Sequence, residues 1–242
     1  MPTLQGKVAI VTGGSRGIGL AIASALVADG ARVTITGRTV ADLSKAELTL
    51  KRAASDGSKS VETIVSDVRR FTDAERTVAA TVARFGGLDI VINNAGFGQF
   101  ASVADMTPDE WAETIDTNVT GVYNMCHLAI PHLRKRGGGF IVNISSLSSK
   151  NPFAGGAAYC ASKAALNAFS EVLMQELRYD NIRVSYVLPG SVATGFAGGE
   201  ASKGEDWKIA PDEVATVVMN LLHHDPRSLP SRVELRPSKP RK

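Results

Sequence analysis

Cysteine and histidine are both scarce in this sequence. The two cysteines, Cys126 and Cys160, have neither the spacing of a zinc site nor the pattern of a disulfide framework. The four histidines form no H-E-x-x-H or similar arrangement. We therefore expect no metal site and free thiols, as is usual for proteins of the cytoplasm. Cys160 is interpreted as a packing residue rather than a nucleophile.

Long apolar runs are absent as well. No segment approaches the ~18 apolar residues that a membrane-spanning helix needs, and the first seven residues lack the pattern of a secretory signal. No repeat, long linker or shift in composition divides the 242 residues, a length that suits one large α/β domain. We expect a single cytoplasmic domain over residues 1–242, with no membrane partner.

Excess positive charge is confined to one end of the chain. Residues 225–242 contain six Lys or Arg and two Asp or Glu, a balance of +4, which leaves −1 for the rest of a chain whose net charge is +3. We therefore expect no nucleic-acid partner, because the body of the chain has no basic surface. The basic, proline-containing tail over 225–242 is interpreted as a solvated end. Contact with an acidic carrier protein is the alternative.

The sequence does contain a regular alternation of short β-branched runs and helical patterns. Strands are predicted at 7–12, 31–36, 60–65, 88–92, 139–144 and 182–188, with a short one at 233–235. Helices are predicted at 20–30, 40–54, 72–85, 107–133, 156–177 and 211–223. This alternation predicts an α/β fold: a doubly wound, mostly parallel seven-stranded sheet with helices on both faces.

A glycine-rich turn joins the first strand to the first helix. It reads Gly13-Gly-Ser-Arg-Gly-Ile-Gly19, and its spacing differs from the usual G-x-G-x-x-G. Glycines let the backbone approach a pyrophosphate, and the helix N-terminus offers free N–H groups. A purely structural turn is the alternative. The turn predicted to bind phosphate includes Gly13, Ser15, Arg16, Gly17, Ile18 and Gly19.

The end of the second strand indicates which dinucleotide binds. An NAD site usually has an acidic residue there, which accepts a hydrogen bond from the ribose 2′-hydroxyl. This sequence has Gly37-Arg38 instead, and Arg16 can reach the same point. A guanidinium suits a 2′-phosphate, so the sequence favours NADP(H) over NAD(H). A pair of surface arginines is the alternative.

Polar residues follow several later strands, at the sheet edge where ligands bind in such folds. Asp67, after the third strand, can accept from an adenine amino group, or it can cap the helix that begins near Thr72. Asn93-Asn94-Ala95-Gly96 ends the fourth strand, and Ser145-Ser146 ends the fifth. Asn118 lies within a predicted helix, where Asn is a poor helix former. It has a special hydrogen-bonding role or is simply tolerated.

Tyr159 and Lys163 are four residues apart on a predicted helix, so they share one face. A nearby ammonium favours phenolate and lowers the pKa of a tyrosine from its usual value near ~10. A tyrosine tuned in this way can exchange a proton with a reacting oxygen. The spacing alone is common by chance, so the rest of the sequence has to support the catalytic interpretation.

These motifs together resemble the short-chain dehydrogenase/reductase family. The order and spacing of Thr12-Gly-Gly-Ser-Arg-Gly-Ile-Gly19, Asn93–Gly96, Ser146, Tyr159-x-x-x-Lys163 and Pro189-Gly190 match it over nearly the whole chain. The resemblance implies a Rossmann fold. It also implies an NADP(H)-dependent oxidoreductase of the EC 1.1.1 type, which reduces a ketone or aldehyde to an alcohol or runs the reverse reaction.

The resemblance implies four catalytic residues. Tyr159 is the general acid or base, and Lys163 lowers its pKa and binds the nicotinamide ribose. Ser146 donates a hydrogen bond to the substrate oxygen, and Asn118 holds a water linked to Lys163. The further cofactor contacts implied by the family are Asp67 and Val68 at the adenine, Asn94, Ala95 and Gly96 at a ribose, and Pro189, Gly190, Val192 and Thr194 near the nicotinamide.

Two departures from the family pattern limit what can be transferred. The loop between Ser146 and Tyr159 differs from many members, so substrate specificity does not carry over. The C-terminus lacks the glycine-containing last strand of many relatives, which makes a homodimer more secure than a homotetramer. Residues 191–210 are interpreted as a mobile cover. Candidates for a moderately apolar substrate pocket are Phe97, Phe100, Leu147, Phe153, Phe196 and Trp207.

Two alternatives for function stay open. One is a 3-oxoacyl-carrier-protein reductase, for which the basic tail would meet an acidic carrier protein. The other is a binding module that senses NADP(H) without chemistry. A pure sensor has no need of Asn118, Ser146, Tyr159 and Lys163, so these residues favour an enzyme.

Overall fold

Seven parallel strands form one sheet in the order β3-β2-β1-β4-β5-β6-β7. The computed structural model describes residues 4–54, 59–196 and 206–240. The strands are β1 Val8–Val11, β2 Arg32–Gly37, β3 Val61–Val65, β4 Ile90–Asn93, β5 Gly139–Ile144, β6 Ile182–Pro189 and β7 Arg232–Leu235. This is the doubly wound sheet that the alternation predicted. The strand order reverses between β1 and β4, where such folds bind ligands.

Helices cover both faces of the sheet. They are α1 Gly17–Ala28, α2 Val40–Ala53, α3 Phe71–Phe85, α4 Pro108–Ile115, α5 Gly121–Lys135, α6 Ala157–Leu177 and α7 Pro211–Leu222. One core lies between the sheet and α1, α2 and α7, and the other lies between the sheet and α3, α5 and α6. None of the helices in the described ranges is long and apolar enough to cross a membrane.

The first strand shows why the sheet is buried on both faces. Ala9 and Val11 point into the core beneath α1, whereas Val8 and Ile10 point into the core on the other side. Side chains alternate along a strand, so a strand with helices on both faces needs apolar residues at every position. The unbroken apolar run at this point in the sequence satisfies that need.

The long helix predicted over 107–133 is interrupted. A capping box of Thr107 and Glu110 begins α4, and a π-helical turn over Asp116–Thr120 separates it from α5. At the junction, a Cβ on Gly121 would lie 2.7 Å from Val68 Cγ2, so close packing against the β3 loop requires glycine there. Such π turns insert one residue into a helix and often mark functional sites.

The end of the described chain returns to the sheet. β7 pairs with β6, and Gly190 N–H donates to the Leu235 carbonyl at 2.8 Å. The short strand predicted at 233–235 is therefore present. The predicted cover over 191–210 lies partly outside the described residues, and its two described ends meet where Val192 bridges to Ile209.

Candidate active site

One cavity of about 940 Å³ opens at the carboxyl ends of the strands, beside the reversal between β1 and β4. It is lined by the turns that follow β1 to β6. All of the cofactor residues proposed from the sequence line it: Gly13, Ser15, Arg16, Gly17, Ile18, Gly19, Arg38, Asp67, Val68, Asn94, Ala95, Gly96, Tyr159, Lys163, Pro189, Gly190, Val192 and Thr194.

The glycine-rich turn fits a phosphate group. Gly13 and Gly17 have φ of 63° and 54°, which is the left-handed region that favours glycine. α1 begins at Gly17, and the residue before it, Arg16, makes no side-chain cap. The first N–H groups of α1 therefore have no capping side chain and border the cavity, together with the positive end of the helix dipole.

Asn94 acts on this turn rather than projecting a free amide into the cavity. Its side-chain nitrogen donates to the carbonyls of Thr12 at 2.9 Å and Gly13 at 3.0 Å. The Thr12 hydroxyl in turn accepts from the backbone N–H groups of Asn94 and Ala95, both at 3.0 Å. These bonds join the end of β4 to the end of β1 and fix the shape of the glycine turn.

Two arginines and two carboxylates form a cluster after β2 and β3, and two of its members, Arg38 and Asp67, line the cavity. Asp67 accepts from Arg69 Nε at 3.0 Å, and this hydrogen bond lowers the pKa of the Asp67 carboxyl. The N-cap residue of α3 is Arg70, and no side-chain hydrogen bond caps this helix. The alternative that Asp67 caps this helix is therefore wrong. Arg38 Nη1 lies 3.5 Å from Glu113 Oε1 on α4.

Tyr159 and Lys163 both lie on α6 and face the cavity. Lys163 Nζ donates to the Ile144 carbonyl at 2.9 Å, and burial lowers the pKa of this ammonium to about 8. Burial also raises the pKa of Tyr159, and a hydrogen bond with Ser146 offsets only part of that rise. The expectation that Lys163 lowers the pKa of Tyr159 is therefore wrong. The Lys163 Nζ lies 5.9 Å from the centroid of the Tyr159 ring and donates to the Ile144 carbonyl instead.

Ser146 ends β5 at the wall of the cavity. Its hydroxyl accepts from the Ser148 N–H at 3.1 Å, which fixes the start of the short 3₁₀ turn Leu147–Ser149. The hydroxyl also bonds the Tyr159 phenol. Ser146 and Tyr159 are therefore adjacent, as the proposed shared contact with one substrate oxygen requires.

Asn118 is buried and does not line the cavity, whereas its neighbour Thr117 does. The Asn118 side chain accepts from Phe97 N–H at 2.8 Å and donates to the Phe97 carbonyl at 2.8 Å. It also donates to the Ser162 hydroxyl at 2.9 Å, and that hydroxyl donates to the Tyr159 carbonyl at 2.7 Å. Asn118 therefore has the special hydrogen-bonding role, because its side chain links Phe97 to the Ser162 hydroxyl on α6.

Aromatic side chains surround the Tyr159 hydroxyl end of the cavity. Phe100 packs edge-on against the Tyr159 ring with centroids 5.7 Å apart, and Phe196 lies 5.6 Å away on another side. Phe153 contacts Phe100 at 5.7 Å. The whole set of predicted pocket residues lines the cavity: Phe97, Phe100, Leu147, Phe153, Phe196 and Trp207.

The C-terminal tail also lines the cavity, which the sequence did not indicate. Arg236, Pro237 and Pro240 border it, and a Cβ on Gly190 would lie 3.0 Å from Pro237 Cδ. Glu234 bonds both Lys150 and Arg236, and these two cations lower its pKa to about 2. The strand β7 and Pro237 thus hold the tail against the sheet and the cavity wall, whereas the basic side chains of Arg232, Arg236 and Lys239 are exposed to solvent, as expected.

Known proteins resemble this chain over most of its length. Residues 7–204 match the family described as short chain dehydrogenase. The chain is 37% identical over 239 residues to an uncharacterized oxidoreductase of Methylorubrum extorquens, which covers 94% of each protein. The chain belongs to the short-chain dehydrogenase/reductase family.

Two solved structures share the fold over nearly their full length. One is an alcohol dehydrogenase from the archaeon Thermococcus sibiricus complexed with 5-hydroxy-NADP, with a TM-score of 0.88, 30% identity and 98% of each chain covered. The other is a metagenomic short-chain oxidoreductase in complex with NADP, with a TM-score of 0.85 and 37% identity over 98% of this chain and 100% of the other. This chain is an NAD(P)-dependent oxidoreductase that acts on CH–OH groups of small molecules.

Proposed function

We propose that this enzyme is an NADP(H)-dependent reductase that converts a ketone or aldehyde to an alcohol, or runs the reverse reaction. The observation that carries the proposal is that one cavity is lined both by Ser146, Tyr159 and Lys163 and by Arg16 and Arg38, which follow β1 and β2. The first group suits a reacting carbonyl oxygen, and the second suits the 2′-phosphate of NADP(H).

The chain's own residues supply the proton. Bound NADPH supplies the hydride, which forms the new C–H bond of the alcohol. The carbonyl oxygen takes its proton from the Tyr159 hydroxyl while the Ser146 hydroxyl donates a hydrogen bond to the same oxygen. Because burial raises its pKa, Tyr159 carries its proton at neutral pH, as a general acid must. Alcohol oxidation reverses the steps, and phenolate accepts the proton.

The remaining wall residues hold the cofactor in this proposal. The glycine turn and the N-terminus of α1 bind the pyrophosphate, because their N–H groups have no capping side chain. Lys163 binds the nicotinamide ribose, and Asn118, which is buried behind the cavity wall, holds a water linked to Lys163. The other proposed contacts are Asp67 and Val68 at the adenine, Ala95 and Gly96 at a ribose, and Pro189, Gly190, Val192 and Thr194 near the nicotinamide.

A titration of purified protein with NADPH and NADH tests the cofactor assignment. We expect tighter binding of NADPH, and we expect Arg38→Asp to shift the ratio of dissociation constants toward NADH. Asp42→Asn, a charge change of opposite sign elsewhere on the cavity wall, serves as a comparison for effects of position. Equal ratios for the wild type and Arg38→Asp would remove the 2′-phosphate assignment. A panel of moderately apolar ketones and aldehydes, followed by NADPH absorbance, then tests the reaction.

A 3-oxoacyl-carrier-protein reductase is the second candidate, favoured by the basic tail at the cavity. Arg236 borders the cavity, and both Arg236 and Lys150 donate hydrogen bonds to the Glu234 carboxylate. An acidic carrier protein would meet these cations when its acyl thioester entered the site. We expect Arg236→Gln to raise the KM for a carrier-bound 3-oxoacyl thioester and to leave the KM unchanged for the same acyl group on a small thiol. Equal KM changes for both substrates would speak against this candidate.

The non-catalytic sensor makes the opposite prediction for turnover. A sensor would bind NADPH and oxidise none of it with any carbonyl compound in the panel. Steady NADPH oxidation that depends on one of those compounds eliminates the sensor.

We also propose a homodimer in the cytoplasm. Trp111 on α4, Tyr123 on α5 and Val172 on α6 are large apolar side chains that are roughly half exposed. A second copy of the chain would remove these side chains from water. The cytoplasm is proposed because both cysteines are free thiols buried within the chain. Light scattering on the purified protein distinguishes a monomer, a dimer and a tetramer, and Val172→Glu should shift a dimer toward monomer.

A further inference from the structure

Glu113 on α4 faces the arginine that the proposed function assigns to the 2′-phosphate. Its Oε1 lies 3.5 Å from Arg38 Nη1, and the two side chains are 34% and 59% exposed. Arg38 directly follows β2, whereas Glu113 lies on α4. The cation available for a phosphate group therefore already has a carboxylate beside it.

Glu113 is held in this position from a second side. Arg69 Nη1 donates to the same oxygen, Oε1, at 2.8 Å. Arg69 is itself fixed, because its Nε and Nη2 donate to the Asp67 carboxylate at 3.0 and 2.6 Å. Glu113 is thus anchored by Arg69, and it does not need Arg38 to stay in place.

The four side chains cancel one another's charge. Two guanidinium groups, on Arg38 and Arg69, face two carboxylates, on Asp67 and Glu113. A phosphate that approaches Arg38 therefore meets a neutral cluster and a nearby negative charge. Arg16, which lines the same cavity, forms no ion pair within the part of the chain that the structure describes.

We propose that Glu113 determines cofactor specificity by competing with the 2′-phosphate of NADP(H) for Arg38. The inference rests on the proposed NADP(H) function and adds a residue that reduces the preference for NADP(H) over NAD(H). Glu113 lowers the affinity for NADPH and leaves the affinity for NADH unchanged, because NADH has no 2′-phosphate. Exposed ion pairs of this kind correspond to about 1.5- to fivefold in an equilibrium constant.

Glu113→Gln is the direct test, because glutamine keeps an oxygen that can accept from Arg69 but removes the charge. The probes are 2′,5′-ADP, which has the 2′-phosphate, and 5′-AMP, which lacks it. Isothermal titration calorimetry should show about 1.5- to fivefold tighter binding of 2′,5′-ADP. Binding of 5′-AMP should not change. The same pattern should appear for NADPH and NADH.

Asp109→Asn is the matched control. Asp109 is an exposed carboxylate in the first turn of α4, four residues before Glu113, and forms no ion pair among the described residues. Its removal changes the net charge by the same amount. We expect it to alter the affinity for 2′,5′-ADP less than Glu113→Gln does. Equal gains from the two variants would mean that net charge acts rather than the position of Glu113, and would overturn the inference.

The dependence on Arg38 separates this inference from the proposed function. In an Arg38→Gln background, Glu113→Gln should lose most of its effect on 2′,5′-ADP, because the competition no longer exists. If Arg38→Gln weakens 2′,5′-ADP but Glu113→Gln changes nothing, the inference fails and the NADP(H) assignment stands. If Arg38→Gln itself leaves 2′,5′-ADP binding unchanged, both fail.

Discussion

The Lys163 ammonium donates to the Ile144 carbonyl and lies 5.9 Å from the centroid of the Tyr159 ring. It therefore makes no direct hydrogen bond to the Tyr159 phenol in this structure. Both groups are buried, and burial disfavours the charged form of each. Burial therefore keeps Tyr159 protonated, as a proton donor must be, and burying the Lys163 ammonium costs folding free energy.

The first prediction concerns the cost of burying Lys163. Its pKa is about 8 in the folded protein and 10.5 without burial, so the unfolded chain binds more protons between these values. Stability of the wild type should therefore rise with pH across that window. Lys163→Met should have a higher Tm at pH 7, no turnover, and an advantage that shrinks above pH 8. Differential scanning calorimetry from pH 7 to 10.5 measures this gap.

Lys45→Met on α2 is the control for this measurement, because Lys45 is exposed. Its Tm difference from the wild type should stay constant over the same range of pH. A constant gap for Lys163→Met as well would show that the ammonium of Lys163 carries no cost of burial.

The second prediction concerns the two directions of the reaction. Burial raises the pKa of Tyr159, so the phenol keeps its proton at neutral pH. Carbonyl reduction needs this proton and should stay constant near neutral pH, then fall as the pH rises through the pKa of Tyr159. Alcohol oxidation needs phenolate and should increase over the same range. Profiles of kcat against pH in both directions test this, and reduction that accelerates with rising pH would contradict it.

The third prediction concerns Asn118 as a positioning residue. Asn118→Ala leaves the Phe97 N–H, the Phe97 carbonyl and the Ser162 hydroxyl without their partner. We expect a loss of about 1–3 kcal/mol in the free energy of unfolding. KM should rise as well, because Phe97 lines the cavity. Urea unfolding and steady-state kinetics measure both effects.

Ser162→Ala provides the comparison, since it removes only one of the three contacts of Asn118. Its loss of stability should be smaller than that of Asn118→Ala. Unchanged stability and KM in Asn118→Ala would mean that Asn118 is merely tolerated in the helix.

Local patterns predicted the sheet and most of the cavity wall. The glycine turn at Gly13–Gly19 and the pair Tyr159 and Lys163 are each encoded within a few residues, so the sequence shows them directly. The strand ends meet at one edge because parallel strands in an alternating β/α chain all point the same way. This is why Asp67 and Ser146, far apart in sequence, share one cavity.

Contacts between distant residues were not predictable in the same way. The π turn at Asp116–Thr120 accompanies hydrogen bonds from Asn118 to Phe97, 21 residues earlier. The pair of Arg38 and Glu113 joins the turn after β2 to α4, and neither residue has a local signal for the other. The direction of the Tyr159 pKa was also missed, because the i to i+4 spacing gives proximity to Lys163 but says nothing about burial.

The central claim is that Tyr159 donates the proton in a reaction that uses NADPH. Tyr159→Phe keeps the ring that packs against Phe100 and Phe196 and removes only the hydroxyl. Single-turnover oxidation of bound NADPH should slow by about 10²- to 10⁴-fold with a carbonyl substrate. The dissociation constant for NADPH should stay nearly the same. Normal turnover in Tyr159→Phe would contradict the mechanism and remove Tyr159 from it.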